Sequence, residues 1–367
     1  MLSIQRIIDK YVGRLVITLL VVFRLFNRHP KRIRKILVIK LWAMGDSILT
    51  LSLIKGIRES FEGCRVDVLL RSKVKDVYEC YPVDSIYNLD SFSGVMKLML
   101  NIRSYDVVFD CEPYFNLSAI LALYLGKERV GFAHQFRSCL YTKKTNFHKD
   151  QHMVQNYLDM LRCLNREYDT QKLEQLTVDE NGKTKVERFI SEHFGGKTIV
   201  GITPGIAESS KNRMWYEERF AELSDLIIGQ LDCRVLIIDS PENKETVKKV
   251  KLLMKNKPID SLDKFTLKET FYLISKCRVF ISNDTGPMHI AAAQGCSTIG
   301  LFGPNTPVLW APYGKGNTAI YKTGLEPAIQ NDKGIFRECN REEYMGCITV
   351  DDVFEAVKQS LQKTDLV

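Results

Sequence analysis

Short continuous apolar runs alternate with amphipathic stretches along most of this chain. Lys35-Ile-Leu-Val-Ile-Lys40 is such a run, the pattern of a strand buried on both faces. A turn at 41–46 leads into a helical pattern over 47–60. Further strands are predicted at 66–70, 85–89, 107–110 and 129–132, and helices at 73–80, 94–102, 117–125 and 151–164. Around 173–197 the texture changes to a polar stretch, Asp179-Glu180-Asn181-Gly182, and a charged helix ending at Gly195-Gly196. The alternation then restarts. Strands are predicted at 198–202, 234–239, 279–282 and 297–302, and helices at 217–230, 242–254, 266–275, 287–294 and 350–361. Strands alternating with helices imply parallel sheets with right-handed crossovers. The predicted fold class is therefore α/β, with two Rossmann-like, doubly wound parallel-sheet domains. In such sheets ligands bind beyond the carboxyl ends of the strands, so the residues just after each strand deserve the closest reading.

The N-terminal segment follows a different pattern. Leu15–Phe23 is an uncharged run between Arg14 and Arg24, far shorter than the roughly 20 residues of a spanning helix. No small-residue cleavage site follows it, so a signal peptide is not indicated. At 100° per residue, Arg6, Lys10, Arg14, Arg24 and Arg28 fall within about 80° of one another, and apolar residues fill most of the other face. Such a helix either lies in a membrane interface, its cations meeting anionic headgroups, or packs on the protein's own body or a partner. His29-Pro30 is predicted to end it.

Charge sharpens this division. The formal net charge is +8, and residues 1–35 hold nine basic residues against one acid, Asp9. The rest of the chain balances acids against bases, so a basic surface for nucleic acid is not indicated. The 367 residues, 45% of them hydrophobic, allow two domains with their own cores and exclude a disordered chain. Ten scattered cysteines without a CxxC pair read as reduced thiols rather than a disulfide scaffold.

Three stretches carry chemistry. Ser282-Asn-Asp-Thr-Gly-Pro-Met-His289 follows a predicted strand and opens a helix. Gly286 permits the tight turn, Pro287 suits the first helical position, and the free N–H groups form a ready anion site. Asp284, Thr285 and His289 either add polar contacts to that site or serve only as a cap and a satisfied helix residue. The second stretch is Thr203-Pro-Gly205 followed by Ser209–Trp215. Lys211 and Arg213 there suit a diphosphate, Arg213 through its bidentate fork, unless the loop is simply solvated. In the third, Gly45-Asp46, the acid is either an N-cap or a carboxylate at an interdomain cleft able to accept a hydroxyl proton. GxGxxG after the first strand, GxxxxGK[ST] and HExxH are all missing, which argues against nicotinamide dehydrogenases and P-loop enzymes. Cys339 and Cys347 lack further nearby ligands for a metal.

The chain resembles glycosyltransferase family 9, the bacterial heptosyltransferases of lipopolysaccharide core assembly. The likeness rests on Lys35–Lys40 with Met44-Gly-Asp-Ser-Ile48, on Trp215–Leu223, on Asn283–Ala293 and on Leu301-Phe-Gly-Pro-Asn-Thr-Pro307. It implies a GT-B fold whose two domains face a cleft, the acceptor site in the first and the nucleotide-sugar site in the second. The expected divisions are an N-terminal segment at 1–34, an acceptor domain at 35–178, a donor domain at 179–349, and a helix at 350–367 crossing back. By motif, Asp46 stands at the family's proposed catalytic base and Arg213 at its phosphate-binding lysine. Asp284, Thr285, Gly286 and His289 match the donor diphosphate loop, and Glu242 looks like the ribose-binding acid. Asp110 matches an acid near the acceptor. Six positions on, where the family often has a basic residue, this chain has Asn116.

The resemblance implies an inverting, single-displacement transfer from an ADP-heptose-like donor to a glycolipid acceptor, with no cofactor and no catalytic metal. It also implies a cytoplasmic enzyme, and the N-terminal segment would hold it at the inner-leaflet membrane surface. Two other readings are a GT-B nucleotide-sugar enzyme such as an epimerase, and a non-catalytic sugar-nucleotide-binding protein.

Overall fold

A computed structural model describes residues 2–22, 30–330, 335–336 and 339–363. The chain forms two compact units, Met1–Thr170 and Gln171–Val367. In the first, helix α1 (Leu2–Leu20) precedes strand β1 (Lys35–Ile39) and helix α2 (Met44–Ser60). Strand β2 (Arg65–Leu70), helix α3 (Lys75–Glu79) and strand β3 (Ser85–Asn88) follow. Next come α4 (Phe92–Met99), β4 (Tyr105–Asp110), α5 (Asn116–Leu125) and β5 (Gly126–Phe132). Strand β6 (Lys143–Thr145) and helix α6 (Met153–Arg162) complete the unit. The six strands are parallel, in the order β3-β2-β1-β4-β5-β6.

The second unit begins with α7 (Glu180–Phe194), β7 (Thr198–Thr203), α8 (Glu217–Gln230) and β8 (Cys233–Ile237). Helix α9 (Lys244–Leu253), strand β9 (Ile259–Asp260) and helix α10 (Leu267–Ile274) lead to β10 (Val279–Asn283). Then come α11 (Gly286–Ala293), β11 (Ser297–Phe302), α12 (Pro307–Trp310) and β12 (Thr318–Tyr321). A small hairpin of β13 (Ile329–Gln330) and β14 (Ile335–Phe336) precedes α13 (Arg341–Met345) and α14 (Val350–Lys363). The parallel sheet runs β12-β11-β10-β7-β8-β9, which repeats the strand order of the first unit.

Both orders are the doubly wound Rossmann arrangement, with strand succession reversing between β1 and β4 and again between β7 and β10. The apolar runs read as two-sided strands because they are central: Ile36–Ile39 and Val279–Ile281 are fully buried. The strands of the two parallel sheets that the pattern misses are β6, β9 and β12, short edge strands with mixed polarity, and it also misses the hairpin of β13 and β14.

The units divide earlier than the 178/179 boundary expected from composition. The buried side chain of Gln294 donates to the Leu176 carbonyl (3.1 Å) and accepts from its N–H (3.4 Å), which fastens the polar approach to α7 onto the second unit. The terminal helix α14 packs on α8 and against β10, β11 and β12 of the same unit. Val353, Phe354 and Val357 of α14 join the cluster around Trp215 and Phe220.

Helix α1 packs on α5. The N-cap position of α5, Phe115, has no side-chain oxygen, and Asp9 supplies one from α1. Its carboxylate accepts from the N–H groups of Asn116 (2.9 Å) and Leu117 (2.8 Å), satisfying donors that a helix start leaves open. The approach is close because residue 13 is glycine: a Cβ there would stand 2.6 Å from the Asn116 Cβ. Ile17 completes the buried seam, yet Ile8, Tyr11, Val12, Leu15, Leu19 and Val22 remain exposed. Of the basic positions expected on this helix, Arg14 is exposed. The side chains of Arg6 and Lys10, together with Arg24, Arg28 and the predicted stop at His29, lie outside the described residues.

Candidate active site

In the first unit, chemistry-bearing groups gather where β1 and β4 end. Lys40 follows β1 and is almost wholly buried. Its Nζ stands 3.3 Å from Asp46 Oδ2 and 3.3 Å from Glu112 Oε1. Burial alone would push the ammonium down, but the carboxylates of Glu112 and Asp46 outweigh it and hold the Lys40 pKa above the ordinary lysine value. Glu112 Oε1 also accepts from the N–H groups of Leu41 (2.6 Å) and Trp42 (2.9 Å), so it braces the turn into α2. Ala43 in that turn has φ of 65°, a left-handed conformation that costs a non-glycine residue on the order of 1 kcal/mol or more. Asp46 occupies the first turn of α2 and is 22% exposed. It is not the N-cap, which falls at Ala43. Its carboxylate is held by a buried cation and is partly exposed.

Asp110 and Asn116, expected near the acceptor, have structural tasks. Asp110 is fully buried and accepts from Ser118 Oγ (2.8 Å), Arg137 Nη1 (3.0 Å), Tyr141 OH (2.6 Å) and the Glu112 N–H (3.1 Å). Burial raises its pKa, and the Arg137 charge and the hydrogen bonds oppose that rise only in part. Arg137, equally buried, donates to the carbonyls of Phe115 and Glu112. This ion pair shapes the loop that carries Glu112. The Asn116 amide donates to the Asp9 carbonyl (2.8 Å) and so is engaged in docking α1.

The second unit assembles its own cluster where β7 and β10 end. Arg213, on the helical turn at Glu208–Arg213, pairs with Asp284 Oδ2 at 2.8 Å and with Ser210 Oγ at 2.7 Å. Asn305, after β11, donates to the same Asp284 oxygen at 2.8 Å. Asn283 is buried and locks the two loops together. It accepts from the Trp215 N–H (2.8 Å) and donates to the Pro204 carbonyl (3.0 Å). Trp215 is fully buried and its indole N–H reaches the Ile348 carbonyl, so it is a core residue.

Thr285 stands at the N-cap of α11 in extended conformation, with no side-chain capping bond. Its hydroxyl donates instead to the Asn283 carbonyl (3.2 Å). The helix therefore starts at Gly286-Pro287 without a side-chain cap, where its N–H groups and dipole favour an anion. His289, one turn in, is buried, and its Nδ1 has no hydrogen-bond partner. Burial lowers its pKa to about 4, against the pull of the Asp284 charge, so the ring is neutral at pH 7.

Glu242 is exposed on the turn Pro241–Asn243, just beyond β8. That turn is placed by Asp239, which accepts from the Gly205 N–H (2.6 Å) and the Asn243 amide (2.6 Å). Burial pushes Asp239 up to about 6 despite these bonds. Lys211 does not join the cluster: its ammonium is exposed and pairs with Glu208 at 2.7 Å. Sequence reasoning missed Lys40, Glu112, Asn305 and Asp239. The available signal was position, since each lies within a few residues of a strand's carboxyl end. Among the described residues, no group of three or more His, Cys, Asp or Glu side chains could hold a metal ion.

Residues 95–337 match a family model described as glycosyltransferase family 9 (heptosyltransferase). A lipopolysaccharide core heptosyltransferase from Haemophilus influenzae is 24% identical over 300 residues, covering 79% of this chain and 84% of the relative. The solved structure of a family 9 glycosyltransferase from Veillonella parvula superposes with a TM-score of 0.75 at 23% identity, covering 92% of this chain and 99% of that one. An Escherichia coli ADP-heptose lipopolysaccharide heptosyltransferase II gives a TM-score of 0.72 at 20% identity, covering 90% and 99%. The fold is GT-B.

Proposed function

Because the chain belongs to glycosyltransferase family 9, the heptosyltransferases, and is a glycosyltransferase, we propose that it moves a heptose from an ADP-heptose-type donor onto the lipopolysaccharide core or a related glycolipid, with inversion at the anomeric carbon. The observation that carries this reading is that both chemical clusters sit at the strand-order reversals of their sheets. Asp46 follows β1 beside the end of β4; Arg213 and Asp284 follow β7 and β10.

Each unit supplies one half of the chemistry. Asp46 takes the proton of the acceptor hydroxyl as that oxygen attacks the anomeric carbon. Lys40 keeps the carboxylate in place, and Glu112 keeps Lys40 in place. As the bond to the donor breaks, charge grows on the departing diphosphate. The positive end of α11 at Gly286 and the Arg213 guanidinium stabilise it, Arg213 being already oriented by Asp284 and Ser210. Glu242 meets the donor's ribose from the end of β8. Asp110 influences the acceptor through the loop that it holds with Arg137, and Asn116 through the docking of α1.

The exposed face of α1 rests on the inner leaflet of the cytoplasmic membrane, where a glycolipid acceptor resides. No described helix is long and apolar enough to cross a membrane, and a helix lying in the interface needs no such length.

The test is product analysis by mass spectrometry with ADP-heptose, other nucleotide-linked sugars and a truncated lipopolysaccharide acceptor. Asp46→Asn should lower turnover by about 10²–10⁴-fold while calorimetry finds donor affinity unchanged. Full turnover in that variant removes Asp46 from the mechanism. Conversion of the donor without any acceptor would replace the transferase reading with an epimerase.

A further inference from the structure

We propose that α4 is a second lipid-facing element, forming with the outer face of α1 a single apolar platform that seats the first unit on an anionic bilayer. The proposal rests on the membrane reading of α1 and extends it to a part of the chain where no basic amphipathic segment drew attention. Phe92, Met96 and Met99 of α4 are exposed, as are Leu100 and Ile102 just beyond it; Phe92 and Leu100 are each 84% exposed. Only Leu98 of this helix turns fully inward. It shares one apolar cluster with Ile17 of α1 and with Ala119, Ala122 and Leu123 of α5.

The two helices are fastened to the same support. Helix α1 docks on α5 through Asp9, and the end of α4 is tied to α5 by Tyr124, whose hydroxyl donates to the Met99 carbonyl (2.9 Å). The Arg103 N–H returns to the Tyr124 carbonyl (2.9 Å). Leu117, at the start of α5, is exposed as well. On α1 and the turn just after it, the six exposed apolar residues from Ile8 to Val22 fall within about 100° of one another at helical spacing. An exposed apolar set of this size on a soluble chain marks an interaction surface.

Charge identifies the occupant. Residues 91–103 contain Lys97 and Arg103 and no acid, and residues 10–34 contain seven basic residues and no acid. A second copy of this chain on the same face would bring two such stretches together. An anionic phospholipid surface instead meets apolar side chains with its acyl boundary and cations with its headgroups. With eight residues, α4 can enter the interface but not span it. Two separated attachment helices fix the orientation of the first unit on the bilayer, whereas α1 alone would leave it free to roll.

The test is co-sedimentation of the full chain with vesicles of phosphatidylglycerol and phosphatidylcholine, and with phosphatidylcholine alone. The double variant Phe92→Ser/Leu100→Ser removes two exposed side chains and leaves the core intact. It should lower partitioning to anionic vesicles by about tenfold or more, as should Leu15→Ser/Leu19→Ser on α1. If the α4 variant sediments like the unmodified chain while the α1 variant is released, the α4 proposal falls and the α1 reading stands. If neither variant is released, both fall. Loss of a dimer in sedimentation velocity, with vesicle binding unchanged, would assign the α4 face to a second copy and overturn the proposal.

Discussion

Two buried groups beyond the strand ends of the second unit titrate in opposite directions, and their opposition makes a sharp prediction about pH and stability. His289 is lowered to about 4 from an ordinary 6.5, because its burial disfavours the charged ring. Between those values the unfolded chain binds the extra proton, so this group's contribution is complete above pH 6.5 and is lost as pH falls toward 4. Asp239 is raised to about 6 from 3.8, also by burial. Here the folded chain holds the extra proton, so stability is lost as pH rises from 3.8 through 6. Integrated between pH 4.5 and 6.5, His289 contributes about +2 kcal/mol with rising pH and Asp239 about −2 kcal/mol. In the unmodified chain the two nearly cancel.

Single substitutions should expose the hidden slopes. His289→Gln leaves Asp239 unopposed, and stability should then fall by about 2 kcal/mol more than in the unmodified chain from pH 4.5 to 6.5. Asp239→Asn should do the reverse, on a lower baseline because it loses acceptors for Gly205 and Asn243. The assay is urea unfolding followed by tryptophan fluorescence, since Trp215 is buried in the core of this unit. The measured quantity is the change in pH slope relative to the unmodified chain. Equal slopes for His289→Gln and the unmodified chain would refute the reasoning, because they would mean that the ring gains its proton as easily folded as unfolded.

Arg213→Ala should weaken donor binding by about 10-fold or more in calorimetry, through loss of a charge-assisted fork; unchanged affinity would detach Arg213 from the diphosphate. Lys40→Met strands two carboxylates around a buried position and should cost about 3–5 kcal/mol in urea unfolding, a cost absent if Asp46 and Glu112 are held by other means. Gly13→Leu should loosen α1 from α5 and expose residues 1–34 to limited proteolysis, and equal cleavage rates would show that the close approach at Asn116 is dispensable.

The doubly wound topology was legible because central parallel strands bury both faces and so appear as uninterrupted apolar runs. Edge strands such as Ile259–Asp260 bury little and leave no such trace. Asp284 and Arg213 could be singled out because they follow strands, but that they pair with each other, and that Asn305 joins them, depends on sheet order. Helix α1 was legible as amphipathic, and of its two alternatives the structure shows the docked one, on the face that meets α5. Asp9, the lone acid of that segment, is the residue that docks it. Its role was invisible because its partners lie more than 100 residues away.

Lys40 was the least legible residue of all, since a lysine closing an apolar strand ordinarily reaches solvent. Here it heads a chain of buried charges running through Glu112 to the loop shaped by Asp110 and Arg137. Burying ions in this way is a poor route to stability, since similarly sized apolar residues would serve as well or better. What such a chain supplies is position. It clamps the N–H groups of Leu41 and Trp42 beside the strained Ala43 and presents Asp46 at the head of α2. The second unit spends its buried polar groups differently, on Asn283 and Asp239, which align loops around a half-open Arg213. In the proposed function, a proton acceptor must be aimed at one hydroxyl, whereas a diphosphate cradle must accept a group that changes charge and departs. The stiffer of the two arrangements stands behind the group whose task tolerates the least displacement.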